Sequence, residues 1–509
     1  YLNTAITNFT GYGERALTEN FFLDGALTWH VNAFNSLRAS AFWQPQNDSL
    51  TKSVIGGELT NVTSGTTLGT QLSLETQLAR AVTWHNKVQY VWNMHDIQPE
   101  RCPEAGCGAI AQLNDSQTLQ GLDGWQQQNT WNSINAESSL KIVVPVSQQR
   151  WPIKIGALLR RSETDQSAQM PRTLTLYNED QVQERITSPE GATTHAEQLH
   201  FGWYVQPQMR LNSYLRFFPG LRWDRLNMAV ANLEPTVLEG LSPRLGFKAY
   251  PTGNTDLEVR GGFFQYKDVG VLNLLTQRFM PTDVSVERWN VSSESWSPNM
   301  GRAGDRVKLS LSEDLVLPTL NEGILGIAQR FQEGLFWSLD AVYRQMDNIY
   351  AFYETNLQWD ENYTSVTGSS DGTLDSHLLL ATYQNTYQTY WGFQFRLAGL
   401  ERSASMWRLN YSLGNYTGSL ADYFDDRDQK FVNHKLADRA LPMDVRHQLN
   451  LQYGWFLRRG LHLSQVWNFQ TGAPLVYQDD GTLLRSADQF VLQTRLLWRP
   501  PVQTGSRLN

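Results

Sequence analysis

Residues 211–268 read LNSYLRFFPGLRWDRLNMAVANLEPTVLEGLSPRLGFKAYPTGNTDLEVRGGFFQYKD, and this stretch decides the fold class. In its second half Leu245 and Phe247 alternate with Arg244 and Lys248, and the alternation resumes after the turn-forming residues 251–255. A period of two, apolar on one side and charged on the other, is typical of a β-strand between two environments. Strands of about ten residues or more that end in aromatics suit a tilted crossing of a bilayer. The pattern predicts an all-β chain that forms a transmembrane antiparallel β-barrel with a polar lumen.

The composition supports a large barrel over a soluble fold. Only 41% of the 509 residues are hydrophobic, yet the chain contains 18 Trp, 20 Tyr and 22 Phe. Aromatic residues this frequent in a polar chain fit the aromatic girdles of a membrane barrel. A soluble core rarely exceeds about 250–300 residues, whereas a barrel grows by adding hairpins around a ring. Residues 1–509 are therefore assigned to one barrel domain, with a soluble propeller or solenoid as the alternative.

Several other classes of protein are excluded or disfavoured. No run approaches the roughly 20 apolar residues of a membrane helix, because the densest, residues 141–146, has only the length of a strand. The net charge of −8, without a clustered basic face, argues against a nucleic-acid partner. No nucleophile-elbow, zinc-protease or P-loop motif nominates catalytic residues. We therefore expect no enzyme activity, no catalytic residue, no metal and no cofactor.

Eight hairpins and a last strand without a visible partner, Phe490 to Trp498, follow one another along the chain. Short connections alternate with long ones, which is typical of outer-membrane barrels with tight periplasmic turns and long outer loops. For the hairpin at residues 251–255, symmetric pairing about Gly253 predicts that Lys248 lies opposite Glu258. An opposite-charge pair there would help to fix the register.

Parity along the strands predicts which residues lie on each face of the wall. The apolar positions are expected to face membrane lipid: Leu199, Phe201, Trp203, Leu245, Phe247, Leu339, Leu449 and Leu451. The polar positions are expected to face the lumen: His200, Arg244, Lys248, Glu258, Arg260, Asp340, Arg344 and Asn450. His447 stands at the end of a strand, so we expect a rim histidine rather than a metal ligand.

The long connections carry the candidate ligand-binding residues, namely Trp289, Trp296, Asp425, Asp426, Asp428 and His434. Clustered carboxylates suit hard cations, but this run lacks the spacing of an EF-hand, so a solvated acidic loop is favoured. The only two cysteines, Cys102 and Cys107, lie in the sequence RCPEAGCG. We expect a disulfide between them in an extracellular loop, since no nearby histidine supports a metal clip. Free-thiol labelling of the unreduced protein tests this, and reaction of both cysteines would refute the bond.

Four motifs carry a resemblance to a known family: Ser242-Pro-Arg-Leu-Gly-Phe with its return Val259-Arg-Gly-Gly-Phe-Phe, Tyr390-Trp-Gly-Phe-Gln-Phe, Asp444-Val-Arg-His-Gln-Leu, and Gln470-Thr-Gly-Ala-Pro-Leu. Together they resemble TonB-dependent outer-membrane receptors, particularly the group with an N-terminal carboxypeptidase-regulatory-like domain. The resemblance covers most of the chain from about Ser242 onward and is weaker before it. It implies a barrel of 22 strands around a plug domain in the outer membrane of a Gram-negative bacterium. It also implies import driven by a TonB-type energy transducer of the inner membrane.

The strand count predicts that the chain is an incomplete barrel. About 17 strands are visible, or 18 if residues 1–19 supply one more, whereas bacterial single-chain barrels have an even number. A total near 22 would place about three strands before Phe21 and two after Asn509. No plug or transducer-binding box is recognised near Tyr1, so both are expected in the full-length protein. The alternative is a smaller ring of about 18 strands that closes by pairing residues 1–19 with Phe490 to Trp498.

Three functional hypotheses follow from this architecture. The first is the barrel of an uptake receptor whose outer loops capture a substrate that the sequence does not name. The second is a passive pore or export conduit, which needs no plug. The third is a surface-structural or adhesion barrel whose loops bind another protein. Conductance of the intact protein would separate the second hypothesis from the first.

Overall fold

The structure, a computed structural model, describes residues 2–498 apart from short and long gaps. The gaps are residues 12–15, 55–56, 100–108, 114–118, 121–125, 170–172, 179–180, 188–191, 231–232, 271–284, 291–294, 299–306, 332–333, 360–365, 373–375, 383–386, 401–404, 420–438, 442, 457–460 and 478–482. The described residues contain no helix that is long and apolar enough to cross a membrane.

One large antiparallel sheet forms the wall, and each of its strands pairs with the next along the chain. Two of the sheet's 20 members are two-residue bridges. The other eighteen are β1 (Leu2–Gly11), β2 (Ala16–Asn32), β3 (Asn35–Val54), β4 (Gly57–Ala79), β5 (Val82–Pro99), β6 (Gln126–Val146), β7 (Gln149–Gln169), β8 (Ala192–Pro207), β9 (Leu215–Val230), β10 (Thr236–Ala249), β11 (Leu257–Lys267), β12 (Thr319–Arg330), β13 (Phe336–Asp347), β14 (Tyr387–Leu400), β15 (Ser405–Gly418), β16 (His447–Phe456), β17 (Leu461–Gln470) and β18 (Gln489–Trp498). The all-β fold and the predicted count of 17 to 18 strands are confirmed.

The ends of the sheet differ from the predictions in one respect. The last strand, β18, does have a partner, because it pairs along its whole length with β17, with Phe490 opposite Phe469. At the other end β1 pairs with β2. Within the described residues no pairing joins β1 to β18, the contact that the smaller closed ring requires.

The two faces of the wall differ in exposure and in polarity. The outward apolar residues are exposed, as in Leu27 at 72% and Leu245 at 52% of full residue exposure, and the inward His200 is 1% exposed. Leu199, Phe201, Trp203 and Leu339 are likewise exposed and outward, while Asp340 is inward and buried. Apolar residues outside and polar residues inside reverse the arrangement of a soluble protein, and lipid is the solvent that makes this arrangement stable.

On strands β7 to β10, charged residues mark the boundary of the apolar band on the side of the long connections. On β10 the band runs over the nine residues from Leu241 to Ala249, and Glu239 follows toward the long connections. Nine residues span about 20 Å across a membrane at a tilt of about 40°, close to the band of known outer-membrane barrels. Outward ion pairs cross the strands at this boundary, Arg161 with Glu197 at 2.9 Å and Arg225 with Glu239 at 3.3 Å.

The register at the β10–β11 turn corrects the prediction of symmetric pairing about Gly253. Lys248 lies directly opposite Arg260, two positions beyond Glu258. The Asp256 carbonyl accepts a hydrogen bond from the Arg330 amide of β12, which draws the second half of the turn toward β12 and away from β10. Lys248 still reaches Glu258 diagonally, with Nζ 3.1 Å from Oε1. The predicted ion pair is therefore present, but the predicted register is wrong by two residues.

Candidate functional site in the barrel lumen

Long connections build small sheets beyond the ends of the barrel strands. One six-stranded sheet combines pieces of three connections, among them Ser285–Asn290 and Ser295–Pro298. The backbone of Trp289 lies directly opposite that of Trp296 in this hairpin. The other candidates of the long connections, Asp425, Asp426, Asp428, His434 and the two cysteines Cys102 and Cys107, lie outside the described residues.

Charged residues of strands β11 and β13 meet on the lumen face. Arg260 donates from Nε and Nη2 to the two carboxylate oxygens of Asp340 at 2.9 and 2.7 Å, across the intervening strand β12. Arg260 also lies 3.4 Å from Glu258. Gly326 stands opposite both Arg260 and Asp340, and a Cβ there would lie 2.0 Å from the Asp340 carboxylate. The glycine therefore lets an ion pair span three strands.

A second lumen cluster is buried on β8 and β9. His200 Nε2 and the Asp224 carboxylate are 2.8 Å apart, and Arg222 donates to the same carboxylate at 2.8 to 2.9 Å. Asp224 is 2% exposed. Arg344, another predicted lumen residue, forms an ion pair with Glu322 on the neighbouring strand. Carboxylates on these strands are therefore already paired with cations of the wall.

Two lumen arginines of β9 and β10 stack on tyrosines. Arg244, which was predicted to face the lumen, lies 4.4 Å from the centroid of the Tyr266 ring. Arg216, which sequence analysis missed, lies 5.1 Å from the centroid of the Tyr250 ring. The run of aromatic and apolar residues around Arg216 hides its parity, because both faces carry large apolar side chains there.

Parts of the long connections pack against the inner wall. The apolar cluster joins wall residues of β8 to β10 with residues of the connections that follow β11 and β13: Ala196, Leu226, Met228, Val230, Leu238, Leu315, Leu317, Tyr350, Leu378 and Leu380. Burial raises the pKa of Tyr350, and the charge of Asp268 raises it further. These connections therefore narrow the lumen on the side of the long loops.

Two of the motifs that carried the resemblance, those that begin at Asp444 and Gln470, build the rim above β15 to β18. Asp444 is 1% exposed and accepts a hydrogen bond from the Tyr416 amide at 2.8 Å and an ion pair from Arg485. His447 opens β16 and hydrogen-bonds through Nδ1 to the Tyr411 hydroxyl at 2.8 Å, which fits its predicted place at the rim. A Cβ on Gly472 would lie 1.6 Å from the Ser486 carbonyl oxygen, so this position needs a glycine.

The lumen face of β14 to β18 is rich in amides and was missed as a candidate site. Asn450 bridges Asn410, at 3.4 Å, and Asn468 on the two flanking strands. Gln470 donates to Gln489 at 2.9 Å. Two adjoining cavities of about 580 and 340 Å³ lie on this face, and both are lined by Asn410 and Ser412. Alternate polar residues in the five strands were the sequence signal for this surface.

Neither a protein-family model nor a curated protein sequence matches the chain. Solved structures match it by fold. The outer membrane transporter YddB from Escherichia coli matches with a TM-score of 0.66 at 12% identity, covering 96% of this chain and 63% of YddB. FpvA from P. aeruginosa, bound to iron and a heterologous pyoverdine, matches with a TM-score of 0.62 at 10% identity, covering 97% and 60%.

A third match is BauA, the ferric preacinetobactin receptor from Acinetobacter baumannii. Its TM-score is 0.61 at 9% identity, and the match covers 96% of this chain and 66% of BauA. This chain thus spans less than two thirds of the length of each of the three proteins. The matches extend over nearly all of it, so they confirm the predicted fold as a whole. The chain has the β-barrel fold of outer-membrane receptors and transporters.

Proposed function

We propose that the chain is the barrel wall of an outer-membrane uptake receptor in a Gram-negative bacterium. The observation that carries the proposal is the polarity of the wall, which has an exposed apolar band on its outer face and paired charges on its inner face. Such a wall is stable only where lipid surrounds it and polar matter fills it. Fold likeness to receptors and transporters supports transport over adhesion or enzyme activity.

In this proposal the long connections capture the substrate. The backbones of Trp289 and Trp296 lie opposite each other in a hairpin of the six-stranded sheet, and tryptophan side chains would offer a substrate flat apolar surface. Asp425, Asp426, Asp428 and His434 would add a charged edge, and a disulfide between Cys102 and Cys107 would stiffen the connection between β5 and β6. The full-length protein would supply a plug and a contact for a TonB-type transducer, as the resemblance implies.

A passive pore is the competing function. The apolar cluster formed by connections that follow β11 and β13 narrows the lumen from within, and this favours gated passage over an open channel. Energised and passive passage differ in one measurable respect, because only the first stops when the proton gradient across the inner membrane is collapsed.

Solute depletion by intact cells tests the proposal. The parent strain and a strain with this gene disrupted are grown in the same medium, with and without a protonophore, and solutes remaining in the medium are measured by mass spectrometry. We expect at least one solute to be depleted by the parent alone and only without the protonophore. Depletion that persists with the protonophore would indicate a passive pore, and identical depletion by the two strains would contradict uptake altogether.

A further inference from the structure

Strands β14 to β18 contain no aspartate and no glutamate. Their lumen face carries Arg396, Arg408 and Arg495 among serines and amides. On strands β8 to β13, Lys248, Arg260, Arg344 and Arg222 each contact a carboxylate, while Arg216 and Arg244 stack on tyrosines. One sector of the wall therefore has positive charge that the wall itself does not balance.

Arg396 and Arg408 lie close together in this sector. Arg408 is directly opposite Ala398, so Arg396 is its diagonal neighbour on the same face. Diagonal neighbours on adjacent antiparallel strands have Cα atoms about 7–8 Å apart. Neither arginine forms an ion pair with a carboxylate in the described part of the chain, and Arg396 makes only a long contact of 3.5 Å with Gln394.

The carboxylate closest in register is already occupied. Asp340 of β13 lies directly opposite Gln394 of β14, and β14 separates it from Arg408 of β15. Both oxygens of Asp340 accept hydrogen bonds from Arg260. Two neighbouring guanidinium groups repel each other, and this repulsion is relieved when an anion bridges them. The geometry therefore leaves a place for a negative group that comes from elsewhere.

A cavity of about 580 Å³ lies at this arginine pair and is lined also by Phe336, Gln394, Asn410 and Ser412. Its volume falls within the range of small-molecule sites, about 300–1,000 Å³. The amides and the hydroxyl supply further hydrogen-bond donors, and Phe336 supplies an apolar side. Through Asn410 and Ser412 the cavity continues into the second one, whose lining includes Gln448, Asn450 and Asn468.

We propose that Arg396 and Arg408 form a binding site for a small solute that carries two or more negative charges. The guanidinium groups bind its carboxylate or phosphate oxygens, and the amides of β14 to β17 bind its neutral polar groups. The site lies near the end of β14 and the start of β15, which only four residues separate in sequence, so a solute that crosses the lumen passes it at the end opposite the long connections. Its place on a transport route rests on the proposed function, whereas binding itself does not.

Calorimetric titration of the purified full-length protein in detergent tests the site without any transport step. Two anionic probes, benzene-1,3,5-tricarboxylate and pyrophosphate, separate carboxylate from phosphate recognition. We expect binding of at least one probe and weaker binding as NaCl is raised. Arg396→Gln/Arg408→Gln should lower the affinity by about tenfold or more, because charge-assisted hydrogen bonds are lost. Neutral benzene-1,3,5-trimethanol should not bind.

The matched control is Arg216→Gln/Arg244→Gln, which removes two cations from another part of the same lumen wall. It should change the affinity less than twofold, about the effect of a distant charge in salt. Equal losses of affinity in the two double variants would show that the overall positive potential of the lumen attracts the probes, and this would overturn the site. The site would also be overturned if the unaltered protein bound neither small anion. Binding of an octaglutamate peptide by a protein that binds neither benzene-1,3,5-tricarboxylate nor pyrophosphate would overturn it as well. Thermal unfolding checks that the Arg396→Gln/Arg408→Gln chain is folded, and its stability should be unchanged or higher.

Discussion

Leu245→Arg is expected to lower the free energy of unfolding by about 2–4 kcal/mol, the cost of an arginine near the middle of the lipid-facing band. Leu245 is the central outward residue of the band on β10, and the residue is 52% exposed to what would be lipid. Two outward residues of the band lie on each side of it, Leu241 and Pro243 on one and Phe247 and Ala249 on the other, so the guanidinium cannot easily reach either interface. Unfolding by guanidinium chloride from liposomes measures the loss.

The matched control is Gln452→Arg, which adds the same side chain to the lumen face of β16. Gln452 is exposed and pairs with Arg408 across the strands, so some repulsion is expected, but water screens it there. Its cost should stay below about 1 kcal/mol. Equal costs in the two variants would mean that the outer face is not in lipid. A large cost for Gln452→Arg alone would place the faces the other way round.

The assignment of faces and hairpins could be made from sequence because both depend on a period of two. Each outward leucine fixes the parity of its whole strand, so one pattern such as Arg244-Leu245 settles the environment of a dozen residues. The first strand was less visible, because residues 2–11 are mostly polar and their pairing with β2 is what makes them a strand. Register failed at residues 250–256 for a different reason. A hydrogen bond from Arg330, 74 positions after Asp256, shapes that turn, and no local pattern reports it.

The candidate site illustrates the same distinction between local and distant information. Parity predicted that Arg244, Lys248, Arg260 and Asp340 face the lumen, yet it did not show which cations are balanced. That depends on contacts such as Arg260 with Asp340, which joins strands 80 residues apart across a glycine. The absence of acids from β14 to β18 was readable in the sequence. Its meaning became clear only when the neighbouring carboxylates were found to be occupied.

Asp444→Ala is expected to lower the free energy of unfolding by about 3 kcal/mol and to loosen the rim above β15 to β18. Asp444 is 1% exposed, and its carboxylate accepts from Arg485 and from the Tyr416 amide. Truncation leaves the Arg485 guanidinium without its anion, which typically costs about 3–5 kcal/mol for a buried pair. The lower value applies here because 25% of the Arg485 side chain remains exposed to water.

Arg446→Gln is the matched control for this substitution. Arg446 also contacts the Asp444 carboxylate, at 3.4 Å, but 51% of its side chain is exposed, so its loss should cost less than about 1 kcal/mol. Arg485 further donates to the backbone carbonyls of Asp444 and Gly472 at 2.7 and 3.1 Å, which ties the connection before β16 to the one after β17. Limited proteolysis should therefore cut both connections faster in Asp444→Ala than in the unaltered protein. In Arg446→Gln it should cut them at the same rate as in the unaltered protein. Equal stability and equal cleavage in the two variants would show that the buried pair does not hold the rim.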